Sequence, residues 1–210
     1  MTSLPRTCGI DFDNTLVTYD DLLAKIACER GLLDCNPTET KKSIRDRIRL
    51  LPDGEIEWQK CQALLYGSRI QEAKLSDGVK QFFELARRRG MRIYIISHKT
   101  EFSPYDPSGL SLRQAALNWM ARNGFFEDGG LNLKSEDVFF ADTRDQKIHY
   151  ISRLQCTHFI DDLEETLMEG AFPSSTARIL YEPGRRSAAP EGIELMKSWR
   201  EISNYFFGAN

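Results

Sequence analysis

Long apolar runs are missing from this 210-residue sequence. Met1 to Cys8 carries one arginine and no extended hydrophobic stretch before the acidic Asp11 and Asp13 arrive. Neither a signal peptide nor a membrane span fits, so the expectation is a cytoplasmic protein with no membrane partner. Five cysteines (Cys8, Cys28, Cys35, Cys61, Cys156) are an odd number with no CxxC pair, and are expected to stay reduced as small buried hydrophobes. Charge of one sign is also lacking: 28 Lys and Arg face 31 Asp and Glu, for a net charge of -3, which advertises no polyanionic partner. There is no internal repeat, low-complexity tract or long linker, although residues 183–192 form a loop rich in Pro, Gly, Ala and Arg. A chain of this length, 41% hydrophobic and 28% charged, suits one globular core with a small insertion.

What is present is an alternation of short apolar runs with helical patterns, the signature of βαβ units and a parallel sheet. The candidate strands are Cys8 to Phe12, Arg92 to Ser97, Val138 to Ala141, Thr157 to Ile160 and Arg178 to Tyr181. They are nearly continuous in apolar residues, as strands buried on both faces are. Val79, Phe82, Phe83 and Ala86 fall at i, i+3, i+4 and i+7 ahead of Gly90, which predicts a helix with one apolar face. Ser111 and Gln114 have capping-box spacing before the stripe Leu112, Ala115, Ala116, Trp119, Met120, with Gly124 at the stop. A third helix is expected from about Asp145 to Leu154, and Trp199 to Phe207 should pack back on the core. Tyr19 to Lys74 differs, holding three helical patterns separated by turn signals at Asn36-Pro37 and Pro52-Asp53-Gly54. It reads as an inserted helical segment.

The chemistry begins where the first strand ends, at Asp11-Phe12-Asp13-Asn14-Thr15. Two carboxylates two residues apart share a face if the strand persists through Asp13, and a turn can aim Asp13 back if it does not. Either way the pocket is anionic, and it calls for a cation or for one acid that keeps its proton. Magnesium suits a site of few hard oxygens, with Asp11 as first candidate ligand. A second acid pair, Asp161-Asp162, also follows an apolar strand and would complete the metal site. Ser97 ends the second strand and is followed by His98, Lys99 and Thr100, offering a hydroxyl and backbone amides to a phosphoryl oxygen. Lys147 lies early in the third helix, where it can reach over the sheet edge, with Arg144 as its nearest rival for a phosphate. In an open parallel sheet all of these would gather outside the carboxyl ends of the strands.

In this order the pieces resemble the haloacid dehalogenase (HAD) superfamily: DxDxT as Asp11, Asp13 and Thr15, then Ser97, Lys147 and the Asp161-Asp162 pair. The resemblance covers nearly the whole chain. It implies an α/β fold, a Rossmann-like doubly wound parallel sheet at residues 1–18 and 75–210, with a small all-helical cap of the C1 type at 19–74. It also implies a magnesium-dependent phosphatase acting on a small phosphorylated molecule. Asp11 would be the nucleophile and Asp13 the general acid and base. Ser97 and Lys147, together with Asn14 and His98, would contact the phosphate. Asp11, Asp13, Asp161 and Asp162 would surround the metal, Asp162 as the direct ligand and Asp161 orienting Lys147 or a water. The longer acidic motif of the family would need an acid where Thr166 stands, so the shorter DD form applies. Dehalogenases of the superfamily lack the second aspartate, which argues against carbon–halogen cleavage.

Other readings stay open at this level. The same phospho-aspartate could be discharged to an alcohol, making the chain a phosphotransferase or mutase. Lys41, Lys42, Arg45, Arg47 and Arg49 accompany the stripe Ile44, Ile48, Leu51, which suits a solvated helix face better than a nucleic-acid surface. A catalytically silent binding protein is disfavoured by the intact acid set. Phe102, Tyr105 and Asp106, in the loop after Ser97, are candidates for contact with a substrate.

Overall fold

The computed structural model describes residues 6–34, 39–184 and 188–208. Cys35, the Asn36-Pro37 turn and residues 185–187 of the expected loop lie outside them. Along the chain the elements are β1 (Thr7–Ile10), β2 (Val17–Thr18), α1 (Asp20–Glu29), α2 (Lys41–Arg49), α3 (Gly54–Tyr66), β3 (Lys74–Leu75), α4 (Val79–Arg88), β4 (Arg92–His98), α5 (Leu112–Arg122), β5 (Val138–Ala141), α6 (Arg144–Arg153), β6 (His158–Asp161), α7 (Glu164–Leu167), β7 (Ala177–Tyr181), β8 (Ile193–Met196) and α8 (Trp199–Phe207). They fall into two compact units. The first comprises Met1–Leu16, Leu75–Lys99 and Gly124–Asn210, and the second Val17–Lys74 and Thr100–Asn123.

The first unit is built on a six-stranded sheet in the order β5-β4-β1-β6-β7-β8, parallel at every pairing. From β1 the chain adds strands in one direction, β4 and then β5, before jumping back to β6 and adding β7 and β8 in the other. The direction reverses between β1 and β6, which makes the gap past their carboxyl ends the place where ligands of such sheets bind. Right-handed crossovers then put helices on both faces. On one face Tyr94 and Ile96 of β4 pack with Ile148 and Ile151 of α6, Phe159 of β6 and Leu167 of α7. Elsewhere in the unit Phe82 of α4 meets Trp199 and Phe206 of α8, with ring centroids 5.1 and 5.6 Å apart.

Local chemistry explains the helix limits. The periodic residues of α4 are all buried, and Gly90 at φ 65° takes up the left-handed turn after it. Thr143 caps α6 by accepting from Gln146 N at 3.1 Å, which sets Lys147 in the first turn of that helix. Ser198 caps α8 in the same way, and Trp199 is fully buried, its indole N–H donating to Thr15 O at 3.2 Å.

The second unit holds α1, α2, α3 and α5. α1 to α3 occupy the stretch expected to be helical, and the Pro52-Asp53-Gly54 turn joins α2 to α3. A Cβ on Gly54 would sit 2.3 Å from Ile48 O, so glycine is what lets the two helices meet there. α5 groups with these helices rather than with the sheet, because Trp119 Nε1 donates to Ala73 O (3.0 Å) and Gln71 Nε2 to Ala115 O (3.4 Å). Its Ser111 cap accepts from Gln114 N at 3.0 Å, as the spacing predicts. In the loop before α5, Asp106 turns onto its own backbone and accepts from Ser108 N and Leu110 N.

Several expectations need correcting. β1 stops at Ile10, short of the expected Phe12, because the chain turns just beyond Asp11. β8 was not anticipated, since Glu194 interrupts its apolar run and only Ile193 is buried, as suits an edge strand. Cys8, Cys61 and Cys156 are buried and free, and burial pushes their thiols up, to about 11 for Cys61 and about 12 for Cys156. Cys28 is disulfide-bonded, against the expectation of reduced thiols, so cysteine usage gives no support to a reducing compartment. Among the described residues no helix is long and apolar enough to cross a membrane.

Gly9, on the central strand, is a packing requirement: a Cβ there would lie 2.6 Å from the Phe159 ring and 3.0 Å from Cys156 Sγ. Gly9→Ala is expected to cost about 1–3 kcal/mol, by forcing that buried ring off its position. Urea unfolding of the two proteins measures it, and equal midpoints would contradict the packing account.

Candidate active site

The regular part of β1 ends at Ile10, yet Asp11 N still donates to Ile160 O at 2.9 Å. The chain then turns sharply, with Asn14 at φ 58°, a conformation asparagine tolerates better than most residues, and Leu16 N closing on Phe12 O at 3.0 Å. The turn leaves Asp11 beside Asp161 at the end of β6, in the gap where the sheet reverses direction.

Between those two carboxylates lies the ammonium group of Lys147. It is 2.6 Å from Asp11 Oδ1 and 2.7 Å from Asp161 Oδ2, with the three residues 2%, 5% and 0% exposed. Burial opposes the lysine's charge, but the two carboxylates outweigh it and hold Lys147 protonated, its pKa above the ordinary lysine value. Asp161 spends its other oxygen on Leu163 N at 2.9 Å, which also starts the turn into α7. Asp162 Oδ2 accepts from Asn14 Nδ2 at 3.1 Å, tying the loop after β1 to the loop after β6.

Oxygens of Asp11, Asp161 and Asp162 come within 4.8 Å of one another, a spacing that can hold a metal ion. Counted with Asp13, four carboxylates face the two ammonium groups of Lys147 and Lys99, an excess of two negative charges. Burial first, and then the neighbouring Asp161 and Asp13, push the Asp11 carboxyl up to about 7 even though Lys147 pulls it down. A divalent cation bound by hard oxygens would remove that excess, so the residues fit magnesium.

Two hydroxyls complete the setting. Ser97 is 1% exposed at the end of β4, two residues past the Ile10–Ile95 pair that joins β4 to β1. Its Oγ, like that of buried Thr15, has no hydrogen-bond partner among the described residues. A buried hydroxyl left so costs about 1–3 kcal/mol, a cost an incoming acceptor oxygen would remove.

Of the other expected contacts, His98 is exposed, and its Nε2 lies 3.1 Å from Asp142 O, one strand position out of phase with Ser97. It is not brought into the cluster. Asn14 meets Asp162, and Arg144 pairs with Glu169 at 2.7 Å. The residue that sequence reasoning passed over is Lys99, which is 4% exposed and 2.8 Å from Asp13. The available signal was its place two residues after Ser97, on the same side of an extended chain. In the second unit the basic run of α2 is largely engaged: Arg47 pairs with Glu39, Arg45 with Asp46, Arg49 with Glu55, and Lys41 donates to Tyr66 Oη.

No protein-family sequence model and no curated protein matches the chain. Solved structures do match its fold along almost the whole length. A haloacid dehalogenase-like hydrolase from Streptococcus pneumoniae gives a TM-score of 0.60 at 16% identity, over 98% of this chain and 100% of the other. The HAD hydrolase YfnB from Bacillus subtilis, bound to magnesium, gives 0.58 at 14% identity, over 98% and 99%. CbbY from Rhodobacter sphaeroides, in complex with xylulose-1,5-bisphosphate, gives 0.53 at 14% identity, over 95% and 96%. The fold is therefore the α/β, Rossmann-like fold of HAD hydrolases, with a parallel sheet as expected.

The raised Asp11 carboxyl has a sign that can be checked. Between the ordinary carboxylate range and about pH 7 the folded chain holds a proton that the unfolded chain has released. The stability this group contributes is present at low pH and is lost as pH rises through about 7. Magnesium held by Asp11 would have to displace that proton, and would then raise the thermal midpoint more at pH 8 than at pH 5.5. In Asp11→Asn that difference should shrink. Calorimetry with and without magnesium tests this, and an equal effect at both pH values would contradict it.

Proposed function

We propose that this protein is a magnesium-dependent phosphatase that hydrolyses a small phosphate monoester through a phosphorylated Asp11. The observation that carries the reading is the buried Asp11–Lys147–Asp161 bridge at the sheet's reversal point, set beside a third carboxylate and a buried unpartnered serine hydroxyl. Such a cluster is expensive to bury unless a cation and an anion pass through it.

In this reading Lys147 fixes the Asp11 carboxylate through Oδ1 and keeps positive charge where phosphoryl oxygens arrive. Asp11 attacks phosphorus, the ester P–O bond breaks, and the leaving oxygen takes a proton from Asp13. Asp13 then takes a proton from water, whose oxygen attacks phosphorus and breaks the bond to Asp11, releasing phosphate. Ser97 Oγ donates to a phosphoryl oxygen. Asp11 and Asp162 would hold magnesium, since both Asp161 oxygens are engaged by Lys147 and Leu163 N; when bound, the ion would supply neutralisation of the charge on the phosphoryl group. The fold neighbour crystallised with a sugar bisphosphate supports a phosphorylated metabolite as the substrate class. The helical unit, of which residues 19–74 are the larger part, would serve as a C1-type cap.

A screen of sugar, nucleotide and carboxylic acid phosphates should reveal hydrolysis that EDTA suppresses and magnesium restores. Asp11→Asn is expected to lower turnover by on the order of 10⁴-fold while leaving the unfolding midpoint unchanged or higher. Turnover retained in that variant would overturn the mechanism.

A further inference from the structure

Lys99 belongs to none of the roles assigned above, yet it is one of the most enclosed cations of the first unit. Its backbone N–H is fastened to Ala141 O at 2.9 Å, and its Nζ lies 5.6 Å from the centre of the Phe12 ring and 2.8 Å from Asp13 Oδ2. The lysine side chain is 2% exposed and that of Asp13 17%, so the lysine is the more enclosed member of the pair. A buried ammonium group is stable only while a counter-charge stays on it. We propose that Lys99 is a positioning residue, which holds the Asp13 carboxylate at the height of the leaving oxygen and so makes it competent to give and take the proton. The proposal rests on the phosphatase reading and extends it. A misplacement of about 1 Å in a reacting group can cost about 100-fold in rate, which is the size of effect at issue.

This role separates from phosphate binding by its dependence on the leaving group. Protonation by Asp13 matters for an alkoxide and hardly at all for p-nitrophenolate, whereas water attack on the phosphorylated enzyme needs Asp13 in both cases. Lys99→Met keeps the stem over Phe12 and removes the charge. With an alkyl phosphate it should lower kcat about 100-fold at nearly unchanged KM, with no phosphorylated enzyme accumulating. With p-nitrophenyl phosphate it should release nitrophenolate in a burst close to one equivalent, at a rate within about threefold of wild type, before a slow steady state. Hydroxylamine should trap the acyl phosphate in that burst. Combined with Asp13→Asn, the substitution should cost little more than Asp13→Asn alone.

Equal slowing of the burst and of alkyl ester turnover, with a raised KM, would overturn the proposal and make Lys99 a phosphate ligand. An unchanged kcat would overturn it as well. If Lys99→Met does not fold, Lys99→Arg, which keeps the charge but moves it, is expected to show the same burst. Wild-type enzyme that forms no hydroxylamine-sensitive intermediate would instead overturn the phosphatase reading itself, so the two failures are distinct.

Discussion

One buried ion triad organises the site: the ammonium of Lys147 held between Asp11 and Asp161. It joins the end of β1 to the consecutive elements α6 and β6, with Lys147 136 residues beyond Asp11 in the chain, where the sheet reverses direction. Ion groups removed from water in this way do little for net stability, and removing both carboxylates would leave the Lys147 charge uncompensated at a cost of about 3–5 kcal/mol, whereas the loss of Asp11 alone leaves Asp161 on it. The triad therefore makes sense as something the fold supports. The Thr143 cap fixes where α6 begins, and hydrophobic packing of Ile148 and Ile151 against the sheet keeps the helix, and with it the lysine, in place. Gly9 lets the Phe159 ring press against β1, two residues before Asp11 and Asp161 in their respective segments.

The surroundings of the triad are unfinished in a specific sense. Two negative charges exceed the positive ones, Asp11 is pushed toward holding a proton, and two buried hydroxyls lack partners. Each feature is unfavourable by itself, and a divalent cation with a phosphoryl group beside it would relieve each of them. Features of this kind concentrate where binding energy is to be used. The same reasoning brings Lys99 into the account, because its charge would be as costly as the others without Asp13.

Much of this was legible in the sequence. The strand-ending positions of Asp11, Ser97 and Asp161 followed from apolar runs that stop at polar residues, and Lys147 was placed near the start of a helical segment expected from about Asp145 to Leu154. The parts that escaped depend on geometry that local patterns do not encode. Whether Asp13 continues β1 or turns depends on the left-handed Asn14 and on pairing with β6, 150 residues away in the chain. Lys99 reads as an ordinary post-strand lysine until its burial is known. His98 invites attention by its chemistry, but strand alternation puts it out of phase with Ser97. The grouping of α5 with the helical unit rests on two side-chain contacts to backbone carbonyls, which no periodicity announces.

The most direct test of the central claim is the chemical identity of the group that becomes phosphorylated. Enzyme mixed with magnesium and an intact phosphate ester that it turns over can be quenched with borohydride, which reduces an aspartyl phosphate to homoserine, and then mapped by peptide mass spectrometry. Reduction confined to Asp11, and absent when magnesium is withheld, is the predicted result. Continued release of phosphate with Asp11 unmodified would contradict the account.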